Sequence, residues 1–361
     1  MIQRDEEGYW KGKNLRLMGI IFVIIGISIR IFMLLFYYIR FPTPGGQWGD
    51  VWINYHTTDT MFTGEWIWDI TKLEYPPLTL YLLVFVKFLS FGVFEIFVFY
   101  SFALELITLL GFYYILKKFN ISNRMFVFGI ILLNPFIFLN NVFSAISCGY
   151  HITDSFLYIF LFLSLYYYPR DDKSLFYLFS GLTMSVKWFT LPAAVYFFLK
   201  FLFNKNWIEM KKILLYIGIP IVVFLLSPFL YLPNYIDLYL GWLSSAEESV
   251  IYNPPVLIKL LIFGGIFLLY LIFRLKKADL LEVTFFSIIV MFSIMFWRRL
   301  YVRYLTPLIF YGHLATKQDI LTIDLDLKIT KVKLKVGNHM FTYFFSIVGC
   351  IVAIAIILFI F

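Results

Sequence analysis

From Leu15 to Ile39 the sequence carries no charge other than Arg16 and Arg30, and comparable apolar runs recur to the C-terminus. A helix that crosses the hydrocarbon core of a bilayer needs roughly 20 predominantly apolar residues, so these runs constrain the fold more than any motif does. They lie near 15–39, 76–92, 94–116, 125–143, 154–168, 175–203, 213–233, 256–273, 283–296, 301–315 and 341–361. Apolar residues make up 61% of the chain and charged ones 14%, where a soluble domain has about 25% charged residues. A soluble enzyme, a nucleic-acid-binding domain and a disordered chain are therefore excluded. The expected fold is all-α: a polytopic transmembrane helical bundle of about eleven spans, forming a single domain over residues 1–361. The run at Leu15–Ile39 is too long for the apolar region of a signal peptide and lacks a small-residue cleavage site, so it is expected to be a retained first span.

The net charge of +8 reflects short basic segments between apolar runs rather than a basic face that tracks phosphates, so no nucleic-acid partner is expected. Arg4, Lys11, Lys13 and Arg16 put the N-terminus inside. The loop 41–75 then lies outside, and it holds Asp50, Asp59, Glu65, Asp69 and Glu74 against Lys72 alone. Segments 204–212 (Lys205, Lys211, Lys212) and 274–282 (Arg274, Lys276, Lys277) belong inside, and the acidic 234–255 outside. Residues 316–340 alternate polar and apolar around Asp324, Asp326, Lys331, Lys333 and Lys335, which suggests either a small cytoplasmic hairpin near anionic headgroups or a basic linker. Two topologies fit the middle. If 175–203 is one span, the basic 117–124 falls outside. If it is two half-helices bent near Lys187 and Pro192, then 117–124 and 169–174 move inside, and one of the runs between 75 and 117 does not cross. The second is preferred. Cys148 and Cys350 support neither a disulfide framework nor a zinc site.

Four polar features exceed what a simple bundle needs. In the first loop, Trp48, Trp52, Trp66, Trp68 and Tyr55 suggest short amphipathic helices at the membrane surface, although an interfacial aromatic belt also explains them. There Asp50 follows the first span, where a carboxylate beside a bilayer is placed to act as a general base on an amphiphilic substrate. Partial desolvation raises such a carboxyl and improves it as a base. Next, Trp297-Arg298-Arg299-Leu300-Tyr301-Val302-Arg303 puts three arginines on the outer side, against the charge rule. Forked guanidinium donors suit a phosphate, and a salt bridge to the acidic loops is the plainer alternative. The third feature is Gly149-Tyr150-His151-Ile152-Thr153-Asp154, which lines a cavity or, through Asp154, caps a helix. The fourth is Lys187, in an otherwise apolar run, as a cavity residue or a snorkelling lysine. His56 and His151 have no metal-site spacing, and no P-loop, dinucleotide fingerprint or serine nucleophile motif occurs.

Gly49-Asp50 after the first span, followed by Leu73-Glu74-Tyr75-Pro76-Pro77-Leu78-Thr79-Leu80-Tyr81, resembles the integral-membrane glycosyltransferases of the C superfamily. The loop is most similar to that of the dolichyl-phosphate-glucose-dependent glucosyltransferases, and related loops occur in polyprenyl-phosphate mannosyltransferases. Arg303-Tyr304-Leu305 with Pro307 is similar to an Arg-Tyr-Leu run in several such families. The resemblance implies a polyprenyl-phosphate-linked hexose donor, a lipid-linked glycan as acceptor and membrane lipid as surroundings. It implies a site on the extracytoplasmic or ER-luminal face. It also implies Asp50 as general base, Arg298, Arg299 and Arg303 at the donor phosphate, and Glu74, Tyr75, His151, Asp154 and Lys187 as substrate contacts. No cofactor is implied, and the lone acid leaves a divalent metal open. The competing class is a transporter or lipid flippase, which also places polar residues among spans.

Overall fold

The computed structural model describes residues 6–40, 42–44, 50–58, 76–121, 123–134, 152–230, 321–327 and 330–336, together with 265, 283, 284, 287, 288, 310 and 314. Its elements in chain order are α1 (Glu6–Arg40), α2 (Asp50–Thr57), α3 (Pro77–Leu89), α4 (Phe94–Lys118), α5 (Arg124–Leu133), α6 (Ile152–Tyr167), α7 (Ser174–Val186), α8 (Leu191–Phe203), α9 (Trp207–Ile213) and α10 (Ile219–Leu226), then strands β1 (Leu321–Leu327) and β2 (Thr330–Val336). The chain is helical apart from this one hairpin among the described residues. Among the described residues, two helices are long and apolar enough to cross a membrane: α1 over Asn14–Phe32 and α4 over its whole length. Both expose large side chains, among them Ile21, Ile24, Phe32 and Leu35 on α1 and Phe99, Ile107 and Leu110 on α4. Apolar surface left so open suits lipid better than water.

The Cα positions cluster into two compact units. The first comprises 1–43, 112–146 and 301–361, and the second 44–111 and 147–300. In the first unit, α1 and α5 pack in parallel at very close range. Phe22 meets Phe126 with ring centroids 5.8 Å apart. A Cβ at Gly19 would lie 2.6 Å from the Met125 backbone, and one at Gly26 would lie 2.7 Å from the Leu132 Cβ. Glycines at these crossings let the two backbones touch. Arg30, only 1% exposed, donates from Nη1 to the carbonyls of Gly26 (2.9 Å) and Leu132 (2.7 Å). The Leu132 carbonyl belongs to the last turn of α5, where helix carbonyls lack an internal partner. The helix stops there because Asn134 precedes Pro135 and is extended (φ −66°, ψ 116°).

In the second unit, the apolar stretch 175–203 is not one helix. It breaks at Lys187, whose backbone is extended (φ −148°, ψ 134°), and resumes at Leu191 with Pro192 in the first turn. A continuous helix would need the N–H that Pro192 lacks. The two halves have 13 residues each, about 20 Å apiece. Helix α9, which follows the second half, returns to the start of the first: Lys212 Nζ donates to Asp172 (3.2 Å) and Tyr177 Oη to Glu209 (2.8 Å). Helix α8 therefore doubles back, carrying the chain from the end of α7 toward its start. Then α9, a π-helical turn (Leu214–Gly218) and α10 run parallel to α7, since a Cβ at Gly181 would lie 2.9 Å from the Ile217 backbone. Phe176, Tyr177 and Met184 of α7 pack with Ala193, Tyr196 and Phe197 of α8 and with Ile213 and Ile217 in one apolar core.

Strands β1 and β2 are antiparallel, with Asp324 opposite Lys333, Asp326 opposite Lys331, and Ile323 opposite Leu334. The register thus sets acidic positions of β1 opposite basic positions of β2.

Candidate functional site

Asp50 is the first residue of α2, so it occupies a helix N-terminus, where a carboxylate interacts favourably with the dipole. The helix is short, yet it is held at several points. Val51 and Thr58 are fully buried. Tyr55 sits against Phe94 and Phe97 with ring centroids at 5.2 and 5.5 Å, and Trp52 meets Phe94 at 5.3 Å. Lys87, in the last turn of α3 and 1% exposed, donates to the Tyr55 carbonyl at 2.9 Å and lies 3.9 Å from the centre of its ring. The Tyr55 hydroxyl donates to the carbonyl of Gly92. Gly92 takes a left-handed conformation (φ 69°) in the turn between α3 and α4, which only glycine adopts without strain. The Lys87 ammonium thus joins the backbone N–H and hydroxyl of Thr58 on a carbonyl near the C-terminal end of α2, the end that favours cations. This ties the Asp50-bearing helix to the α3–α4 turn.

A second polar centre forms at the break in 175–203. Lys187 Nζ pairs with Asp154 in the first turn of α6. Both side chains are about nine-tenths buried (10% and 11% exposed). The start of α3 is fastened to the same place, for Thr79 Oγ1 donates to the Val186 carbonyl at 2.6 Å. Nearby in the chain, Thr153 and Thr190 have buried hydroxyls with no hydrogen-bond partner among the described residues. Thr190 also lines a cavity of about 20 Å³ with Met184, Ala194, Phe197 and Ile217, enough for one water. The cavity is chiefly apolar and neither Lys187 nor Asp154 lines it, so it is a packing gap rather than a polar site.

Of the residues singled out from sequence, Asp154 and Lys187 are brought together as an ion pair. Asp50 opens α2, and its side chain lies outside the described set. Glu74, Tyr75, His151, Arg298, Arg299 and Arg303 also lie outside the described residues. No group of three or more His, Cys, Asp or Glu residues converges on a common point among the described residues. The sequence reading missed two features. One is Lys87, whose signal was a cation inside an apolar run. The other is the pairing of Lys187, which sequence reasoning left without a partner.

No protein-family model, curated protein or solved structure matches this chain. The functional reading therefore rests on the residues and their placement.

Proposed function

We propose that the protein is an integral-membrane glycosyltransferase that moves a hexose from a polyprenyl-phosphate-linked donor to a lipid-linked glycan or similar acceptor, inverting the anomeric centre. The observation that carries this reading is the placement of Asp50. It opens a short, firmly docked helix between the first long apolar helix and the helix that starts after Tyr75-Pro76-Pro77, the order that the resemblance leads one to expect. Asp50 takes the proton of the acceptor hydroxyl as that oxygen attacks the anomeric carbon. The bond from that carbon to the phosphate oxygen breaks, and polyprenyl phosphate leaves with both electrons. Arg298, Arg299 and Arg303 offset the charge that grows on the leaving phosphate. Base catalysis by a positioned carboxylate contributes typically 10²–10⁴-fold.

The topology that goes with this reading is a multi-span bundle with the N-terminus inside and Asp50 outside. Helix α3 has 13 residues, about 20 Å, against a hydrocarbon core of about 30 Å. Its last turn meets α2, which supports a helix that returns to the outer side instead of crossing. Helix α4 then crosses inward, so that Lys117, Lys118 and Arg124 lie inside. The parallel packing of α5 on α1 supports the same side for Arg124 as for the N-terminus.

The test is transfer of labelled mannose or glucose from a short-chain polyprenyl-phosphate donor by the purified protein. Wild type turns over one donor, and Asp50→Asn inserts normally but loses transfer by at least a hundred-fold. Retained activity in Asp50→Asn overturns the assignment. One observation favours a second reading, transport: the buried Lys187–Asp154 pair lies at the break of a discontinuous helix, and discontinuous helices build the binding sites of many transporters. Absence of turnover together with flux of a lipid or solute across proteoliposomes would decide for it.

A further inference from the structure

The glycosyltransfer reading leaves one buried group on α2 without a role. Asn54 is 2% exposed, and its amide Nδ2 has no hydrogen-bond partner among the described residues. A buried donor left unsatisfied is costly, and native proteins rarely tolerate one. Asn54 is also not free to turn outward. The buried Val51, on the same short helix, and the buried Thr58, just past its end, flank it, and the Lys87–Tyr55 contact and the Tyr55–Gly92 hydrogen bond pin that helix in place. Positions 50 and 54 are four apart, which puts them on one face of α2.

We infer that Asn54 is a substrate-contact residue. Its Nδ2 is held in reserve to donate a hydrogen bond to an oxygen of the sugar-phosphate headgroup whose transfer Asp50 drives. This inference rests on the glycosyltransfer reading and adds to it a named donor one helical turn from the base. An amide suits the role because it donates without carrying charge. It therefore neither stabilises the Asp50 carboxylate as an ion pair nor competes with the arginines for the phosphate charge. The bound headgroup supplies the acceptor oxygen that Nδ2 lacks among the described residues.

The experiment compares wild type, Asn54→Leu and Asn54→Ala as full-length protein in detergent, with Asp50→Asn alongside. Without donor, the thermal midpoint of Asn54→Leu is equal to or above that of wild type, because the substitution removes an unsatisfied polar group and keeps the volume. If leucine does not fit, Asn54→Ala decides this arm with a midpoint no lower than expected for a small cavity. With donor, kcat/KM falls about ten-fold, as for the loss of one hydrogen bond to substrate, and the rise in midpoint on adding short-chain polyprenyl-phosphate hexose shrinks. A parallel titration with polyprenyl phosphate lacking sugar locates the bond. A wild-type-like shift in the variant assigns Asn54 to a sugar hydroxyl, and a reduced shift assigns it to a phosphate oxygen. Marked destabilisation of both Asn54 variants shows a structural role and overturns the inference, as does unchanged kcat/KM. Either result leaves the base assignment standing if Asp50→Asn is inactive. Full activity in Asp50→Asn overturns the glycosyltransfer mechanism instead, and the stability and binding arms still judge Asn54.

Discussion

At the scale of single residues, the Lys187–Asp154 pair makes the sharpest demand on the protein. Two charges with side chains 10% and 11% exposed have given up most of their hydration, and each depends on the other to offset that loss. Removing one partner leaves an uncompensated buried charge, whereas removing both leaves none. Lys187→Met or Asp154→Asn alone is therefore expected to cost about 3–5 kcal/mol. The double variant should recover a large part of that loss. A cycle of thermal midpoints in detergent checks this, and additive effects of the two changes would show that the charges do not depend on each other. The sequence could reveal the break but not the pair. Pro192 is visible in the chain and forbids a continuous helix, so a bend near Lys187 is legible from local chemistry. Asp154 lies on another helix, and nothing local to either residue says that they meet. The partner of Lys87 was illegible for the same reason: the Tyr55 carbonyl is a backbone group that no side-chain pattern marks.

At the scale of elements, the way α9 returns to the base of α7 decides that 175–203 is a folded-back pair of half-helices. This contact is polar. Asp172 accepts from the hydroxyl and backbone N–H of Ser174 and from Lys212, and Lys212 also donates to Glu209 at 3.1 Å. Hydrogen bonds from Ser174, and then from Lys212, hold the Asp172 carboxyl below its ordinary value of 3.8. Hydrogen bonds to Glu209 and Asp172 hold the Lys212 ammonium above 10.5. A carboxylate with a lowered folded pKa contributes stability above its unfolded value, and that stability is lost as pH falls through the folded one. A lysine with a raised folded pKa contributes below 10.5 and loses that contribution as pH rises through its folded value. The junction is thus complete between these limits. Asp172→Asn should melt slightly below wild type at neutral pH, by a small margin because the site is solvent-exposed. That difference should close as the pH drops below 3.8. A difference that persists unchanged in acid would mean that the carboxylate charge is not what holds the turn. Sequence patterning located the basic residues of 204–212 but not this junction, because the acid and the base are separated by two half-helices.

At the scale of the whole molecule, the apolar runs state how much chain can enter a bilayer, but they do not state how often it crosses. Run length is a poor guide where helices turn back. Helix α3 and the α7–α8 pair are each apolar enough to be read as spans, yet α3 ends on α2 and α8 doubles back toward the start of α7. Counting each run as one crossing would put 117–124 outside, with Lys117, Lys118 and Arg124 on the wrong side for the charge rule. Treating α3 and the α7–α8 pair as elements that return to their own side removes that conflict: 169–174 moves inside together with 117–124, and every segment from 204 onward keeps its side. The prediction concerns four single cysteines introduced into a chain carrying Cys148→Ser and Cys350→Ser. In sealed vesicles of known orientation, a membrane-impermeant maleimide should label Phe91→Cys, in the turn between α3 and α4, from the outside. Asn120→Cys, Asp171→Cys and Lys205→Cys should react only after the membrane is opened. Phe91 is 84% exposed, so burial in the protein does not block the reaction there. Labelling of Asn120→Cys from outside would mean that α3 crosses, and Asp50 and the α3–α4 turn would then lie on opposite faces. The contact between α2 and Lys87 forbids that arrangement, so this outcome would unseat the docked helix on which the proposed chemistry depends.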